Sequence, residues 1–442
     1  MKTEVISHRP SETHFKQLLV AAKNCDRQWV LDTETNGLEV IGDDAPCRAF
    51  WIGLMPLGGH HVFILTREEF EDWNLRPAVE AMRLVGHNLR FDLHALDLQP
   101  TKPWVDTMVA AYYRHTTGRH AMEHIAKVKG WPKIPTPEEL KQGLIHEVPE
   151  PDLISYLADD CLITAKMAKA LQVERATDDY KVEQAVYQME RRGMRLLVDK
   201  LQDVSFRLDE MIVESEKPLR EEGMIGNLGS PVQVGEWLIG MGRRLPFAKG
   251  GRPSTAKIVL QKMADDGDPL AQKLIDWRRL VKLRTSFIEP LPKLTQQGIL
   301  YPRTSTTRTA TGRFACSSPN LQQIPKRGPL GKAIRSCLTS RDQTGVTACD
   351  FSQVELRVAA SFAEEPVLLQ AFADGNCPHT EVAAKMLGKQ TKDITPDERF
   401  RAKAVNFGIL NGMGANRLAL ELKTNRQEAK RFLGDYQRNL PD

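Results

Sequence analysis

The sequence is poor in the features that would place it outside the ordinary interior of a cell. Its seven cysteines (25, 47, 161, 316, 337, 349 and 377) include no C-x-x-C pair and make an odd total. That excludes a fully paired disulfide framework and a cysteine zinc site of the usual spacing, and fits a reducing compartment. No apolar run approaches the roughly 18 residues of a membrane-crossing helix. The opening MKTEVISHRPSETHF has no apolar stretch of the kind a signal peptide needs. The expectation is a soluble, cytoplasmic protein with no membrane partner. Internal repeats and low-complexity tracts are also lacking.

A large excess of one charge is missing too, since 61 Lys and Arg face 57 Asp and Glu. The balance hides a split. Residues 1–175 hold 20 basic and 25 acidic side chains, and residues 176–442 hold 41 and 32. An acidic first part suits a site that collects divalent metal, and a basic remainder suits a polyanionic partner. With 442 residues, the chain exceeds the roughly 250–300 that one core can organise, so two or three domains are expected.

Strand-like runs dominate the start. WVLDTE is an apolar run ending in acids, AFWIGLMPL and HHVFIL follow across Gly-rich turns, and LVGHNLRFD reads as a strand entering a helix. Residues 151–172 show helical spacing behind Pro and Asp. This order predicts an α/β domain with a central mixed sheet. From 176 to 295 the periodicity is almost wholly helical. A polar Thr/Ser/Arg segment follows at 303–320. VTACDFSQVELRVAASF (346–362) then reads as a strand running into a helix, and the rest is helical with glycine breaks at 408, 412 and 414.

Three acidic clusters stand out in the first part. Asp32 and Glu34 share one face of a strand end by alternation. Asp92 closes N-L-R-F-D, and Asp160 lies four residues after Tyr156, on the same helical face. Four carboxylates from separate segments suit two Mg²⁺ or Mn²⁺ ions about 3.5–4 Å apart, one activating a water and both stabilising charge on a phosphoryl group. A tyrosine hydroxyl beside them can orient that water. Each cluster alone is commonplace, and the signal is their order together. That order, with VGHNLRFD, WVDTMVAAYY and SYLADDCLIT, resembles the DnaQ-like proofreading exonuclease domain (RNase H-like) of family A DNA polymerases. The resemblance implies that Asp32, Glu34, Asp92 and Asp160 are metal ligands and that Tyr156 positions water.

The resemblance continues in MERRGMRLLVD, TATGRFACSSPNLQQIP, ACDFSQVELRVAASFAEEPVLLQAF and RFRAKAVNFGILNGMG. These are similar, in order, to the thumb opening and the three palm-to-fingers segments of bacterial DNA polymerase I and its phage relatives. Residue chemistry supports them independently. Asp350 closes an apolar run, and Arg399, Lys403 and Phe407 recur every fourth residue on one helix, offering two cations and a ring to a nucleotide triphosphate. By resemblance Asp350 binds metal with the carbonyl of Phe351, and Glu355 selects deoxyribose. His379, Arg399 and Lys403 hold the triphosphate against Phe407. Arg313, Asn320 and Gln323 contact primer–template, with Gln322 as the alternative to Gln323.

Two departures accompany the resemblance. The expected fingers tyrosine is Asn411, and the His-Asp-Glu turn carrying a second palm carboxylate does not occur before YQRNLPD. The domains expected are an exonuclease domain (1–175), a thumb-like helical region (176–300), a partial palm (301–362) and fingers helices (363–442). The overall class is an α/β RNase H-like domain followed by a mainly α polymerase-like region. The activity expected is metal-dependent 3′-5′ exonuclease fused to an incomplete polymerase domain, in a bacterial or phage-infected cell. The partners expected are single-stranded DNA 3′ ends, primer–template, deoxynucleoside triphosphates and a second polypeptide supplying the missing palm. The rivals are a stand-alone RNase D-like exonuclease with an unrelated helical domain, which the later motifs oppose, and a non-catalytic DNA-binding assembly subunit, which the complete acid set opposes.

Overall fold

The run QWVLDTET forms strand β2 (Gln28–Thr35), buried on both faces as far as Thr33. A strand with no solvated face belongs in the middle of a sheet covered on both sides. In the computed structural model, which describes residues 6–439 except 14, 18, 20–26, 174–178, 249, 411 and 423, that is its place. It lies in a six-stranded sheet with β1 (Ile6–His8), β3 (Ala49–Pro56), β4 (His61–Thr66), β5 (Arg83–Gly86) and β6 (Val105–Asp106), ordered β1-β4-β3-β2-β5-β6. The β3–β4 and β2–β3 pairs are antiparallel and the β1–β4, β2–β5 and β5–β6 pairs parallel, so the sheet is mixed as expected.

Among the helices of this part, α1 (Leu89–Ala95), α2 (Thr107–Arg114) and α3 (Glu150–Ala170) bear on the site. One core gathers Trp29, Leu31, Ile52, Leu54, Leu89 and Leu93, while Val30, Met55 and Ile64 on the opposite face pack on Leu157 and Cys161 of α3. The sheet is thus sandwiched, which is why β2 shows no polar alternation.

The chain divides into two compact units, Met1–Val346 and Thr347–Asp442. Within the first, α4 (Asp179–Arg192) leads from the exonuclease-like part into a helical region. Its core includes Leu201, Val204, Leu208 and Ile212 of α5 (Val198–Glu221) against Leu274 and Trp277 of α6 (Pro269–Leu283). This stretch is less purely helical than its periodicity predicts. Met194–Leu196 forms β7, which pairs antiparallel with β8 (Ile299–Leu300) and with Leu338–Thr339. Three residues are too few to show alternation, so the strand arises from its distant partners.

The second unit packs α7 (Val354–Ala363), α8 (Pro366–Ala373), α9 (Pro378–Leu387), α10 (Pro396–Leu410), α11 (Ala415–Glu421) and α12 (Arg426–Asn439) around Leu356, Leu368, Val382, Val405 and Leu418. Two expectations are corrected here. Residues 345–350 form no strand and are exposed. A strand must pair its backbone donors and acceptors with another strand, and among the described residues no strand pairs with this run. Gly408 does not break its helix but lies buried inside α10, where an added Cβ would stand 3.4 Å from Met413 Sδ. The break comes at Gly412, which has φ +63°. Asn411 lies outside the described residues.

Candidate active site

Asp32 is paired in register with Gly53 on β3. An added Cβ at Gly53 would stand 2.7 Å from Cys161 Sγ and 3.1 Å from Leu157 Cγ of α3. The bare backbone therefore lets α3 lie directly on the sheet, one residue from Asp160. As a result one carboxylate oxygen each from Asp32, Glu34 and Asp160 lie within 4.8 Å of one another. Asp92 reaches the same region from α1 but stands outside that set, its Oδ1 accepting a hydrogen bond from Thr33 Oγ1 at 2.7 Å. α1 is anchored by Asp106, whose buried carboxylate accepts from the backbone of Asn88 (3.0 Å), Leu89 (2.9 Å) and, at the start of α2, Met108 (2.9 Å).

Crowding acids away from water makes their charged forms unfavourable. Burial, then Asp92, Asp160 and Glu34, hold the Asp32 carboxyl well above its usual range. Glu34 is pushed up to about 8 by burial and by Asp160 and Asp92. Asp92 rises to about 8, mainly by burial, with the Thr33 hydrogen bond pulling the other way. Asp160 rises only to about 6, because Lys133 opposes its burial. Lys133 Nζ bonds Asp160 Oδ1 and stands 4.5 Å over the Tyr156 ring. The Tyr156 hydroxyl meets Thr136 Oγ1 at 3.0 Å, and burial beside Asp160 raises its pKa. Hard oxygen donors that repel one another and come from three elements suit divalent cations, so the donor set fits Mg²⁺ or Mn²⁺.

In the second unit His379, Phe407 and Lys403 come together. The His379 and Phe407 rings lie 5.6 Å apart, and Lys403 Nζ stands 5.9 Å from the Phe407 centroid. His379 Nδ1 meets Asn406 Nδ2 at 2.9 Å. Arg399, a turn earlier, donates from Nε to Cys377 Sγ at 3.3 Å. Arg399 and Lys403 are exposed, while Thr395 and Glu398 cap the start of α10 by bonding each other's backbone N–H groups. Asp350, Phe351 and Glu355 are exposed, Phe351 at 83%. Asp350 is therefore not held at a strand end.

Of the residues expected at DNA, Arg313 and Gln323 are exposed and Asn320 half-buried. Gln322, also exposed, accepts from Cys316 N and donates to Phe314 O, each at 3.2 Å. Sequence reasoning missed Thr33, Asp106, Lys133 and Thr136. Asp106 sits in WVDTM, a segment already noticed. Lys133 and Thr136 lie in WPKIPT, where no periodicity or paired spacing marks them.

Residues 10–176 match the family described as 3'-5' exonuclease, and residues 198–442 match DNA polymerase family A. The chain is 32% identical to DNA polymerase I of Rhizobium leguminosarum, over 82% of this chain and 38% of that protein. It is 38% identical to the thermostable DNA polymerase I of Thermus filiformis, over 57% of this chain and 31% of that protein. It thus spans about a third of the length of these relatives. Its fold is similar to the POL domain of Pol1 from M. smegmatis, a structure in complex with DNA primer-template and dNTP, with TM-score 0.77 and 21% identity, covering 99% of this chain and 76% of that one. No helix among the described residues is long and apolar enough to cross a membrane.

Proposed function

The chain belongs to DNA polymerase family A, with a 3′-5′ exonuclease domain ahead of the polymerase part, and on that premise we propose that it removes nucleotides from DNA 3′ ends at Asp32, Glu34, Asp92 and Asp160. The observation that carries this reading is the meeting of three carboxylates, two buried and one half-buried, from a strand and a helix. The four acids would hold two Mg²⁺ or Mn²⁺ ions, which when bound supply a water of lowered pKa and offset the charge on the phosphoryl group. The protein's own work is positional. Tyr156 presents a hydroxyl fixed by Thr136 with which to orient the attacking water. Thr33 aims the Asp92 carboxylate, and Asp106 fixes the helix that carries it.

The second unit, on this reading, binds a deoxynucleoside triphosphate through Arg399, Lys403 and His379, with Phe407 against sugar and base and Glu355 excluding a 2′ hydroxyl. Arg313, Asn320 and Gln323 contact primer–template. Asp350, with the Phe351 carbonyl, supplies one metal position. Templated synthesis then requires a second carboxylate and a strand partner for residues 345–350, supplied by further polypeptide. The domain division proposed is 1–175, 176–300, 301–362 and 363–442.

The test is digestion of 5′-labelled single-stranded DNA by the full chain with Mg²⁺ or Mn²⁺. Products should shorten stepwise from the 3′ end. Asp32→Ala with Glu34→Ala should reduce the rate at least about 100-fold, beyond the 10–100-fold that indirect metal-site partners command. Digestion at the parental rate by this double variant would show that the site lies elsewhere.

A further inference from the structure

Residues 131–137, WPKIPTP, have no regular secondary structure, yet they are pinned to α3 along one turn of its surface. Lys133 bonds Asp160, the Ile134 backbone N donates to Asp159 Oδ2 at 2.8 Å, and Thr136 meets the Tyr156 hydroxyl. Three prolines (132, 135 and 137) limit the backbone freedom of this loop. The Lys133 side chain is only 6% exposed. Its Nζ meets two functional candidates, the Asp160 carboxylate and the face of the Tyr156 ring, and also donates to the Ile134 carbonyl at 3.3 Å.

Building on the exonuclease reading, we propose that Lys133 is a positioning residue and the resident counter-cation of the site, whose ammonium holds Asp160 and is displaced from it when divalent cations bind. Two physical facts carry this. The carboxylates of Asp32, Glu34 and Asp160 crowd within 4.8 Å, and Lys133 is the cation whose attraction offsets their repulsion at all three. The carboxylate it occupies is also one of that ligand set, so ammonium and metal compete for it. The loop keeps Lys133 tethered throughout, because Ile134 and Thr136, which follow it, fasten the loop to α3. In the absence of metal the lysine thus preserves the positions of Asp160 and Tyr156 that metal will need.

The experiment is Mn²⁺ binding to the full chain without DNA at pH 8, read by electron paramagnetic resonance. The parent is compared with Lys133→Met, Lys133→Gln, and the Asp32→Ala/Glu34→Ala pair. An opposite charge at this range shifts ionic equilibria by at least about tenfold, so Lys133→Met should bind its tightest Mn²⁺ at least about tenfold more tightly. Its melting temperature without metal should fall below the parent's, and Mn²⁺ should close the gap. A lysine of merely structural importance would weaken metal binding when removed, not strengthen it. If Lys133→Met does not fold without metal, Lys133→Gln, which keeps a hydrogen bond to Asp160 but no charge, must show the same tightening. Equal or weaker Mn²⁺ binding by the folded variant, beside a normal parental site, overturns the role of Lys133 alone. A parent with no Mn²⁺ site that the double variant removes overturns the exonuclease reading, and this inference with it.

Discussion

Asp32, Glu34 and Asp160 are kept close and away from water, and their pKa values rise mainly through burial, with repulsion from neighbouring acids adding to it. His379 shows the same principle with the opposite charge. Burial, then Lys403 and Arg399, lower its pKa from the ordinary 6.5 to about 4. Between those values the unfolded chain binds a proton that the folded one refuses, so stability falls as pH falls. The second unit should therefore unfold at lower urea concentration at pH 5 than at pH 7.5, and His379→Gln should flatten that dependence. If parent and variant lose the same stability over this interval, other groups govern the acid response.

At the scale of elements, the β3–α3 contact and the exposed face of α10 decide what each unit can do. Replacing Gly53 by Val should force α3 off the sheet, since an added Cβ already meets Cys161 Sγ at 2.7 Å. Overpacking of this kind costs about 1–3 kcal/mol, and the larger loss should be in exonuclease rate because Asp160 moves with the helix. A variant that melts lower but digests DNA normally would show that this close approach is not needed for catalysis. On α10, Arg399 and Lys403 project into solvent beside Phe407. Lys403→Ala should weaken triphosphate binding roughly tenfold, the scale of one charge-assisted contact of about 1.5 kcal/mol. The loss should be greatest at low salt. Equal calorimetric affinities for parent and variant would remove this helix from the site.

For the whole molecule, Asp350 is the carboxylate proposed to hold metal in the polymerase part, and it lies on an exposed segment that forms no strand. Glu398 is not a substitute, because it caps α10 with Thr395. On the reading proposed above, which gives this site one carboxylate, the chain by itself should digest a primer but not extend it. On the same reading, adding a polypeptide that brings a second carboxylate should allow extension, and Asp350→Ala should then abolish it. Templated extension by the chain alone, lost on Asp350→Ala, would reveal a second carboxylate within the chain.

The sequence by itself determined the mixed α/β character of the first part, the helical character of the second, and the acids and cations on which the proposed sites are built. Those features are written in local periodicity and in the side-chain chemistry of short segments, which a single chain displays directly. The β7 strand, Gly408 within its helix and the unpaired run at 345–350 were decided by tertiary structure. Strand pairing and close packing depend on partners far away in the chain, and three to six residues carry no pattern of their own. The same reason hid Lys133 and Thr136. They stand 20 or more residues before the acid and tyrosine they touch, and only the seating of α3 on Gly53 gives that loop something to hold.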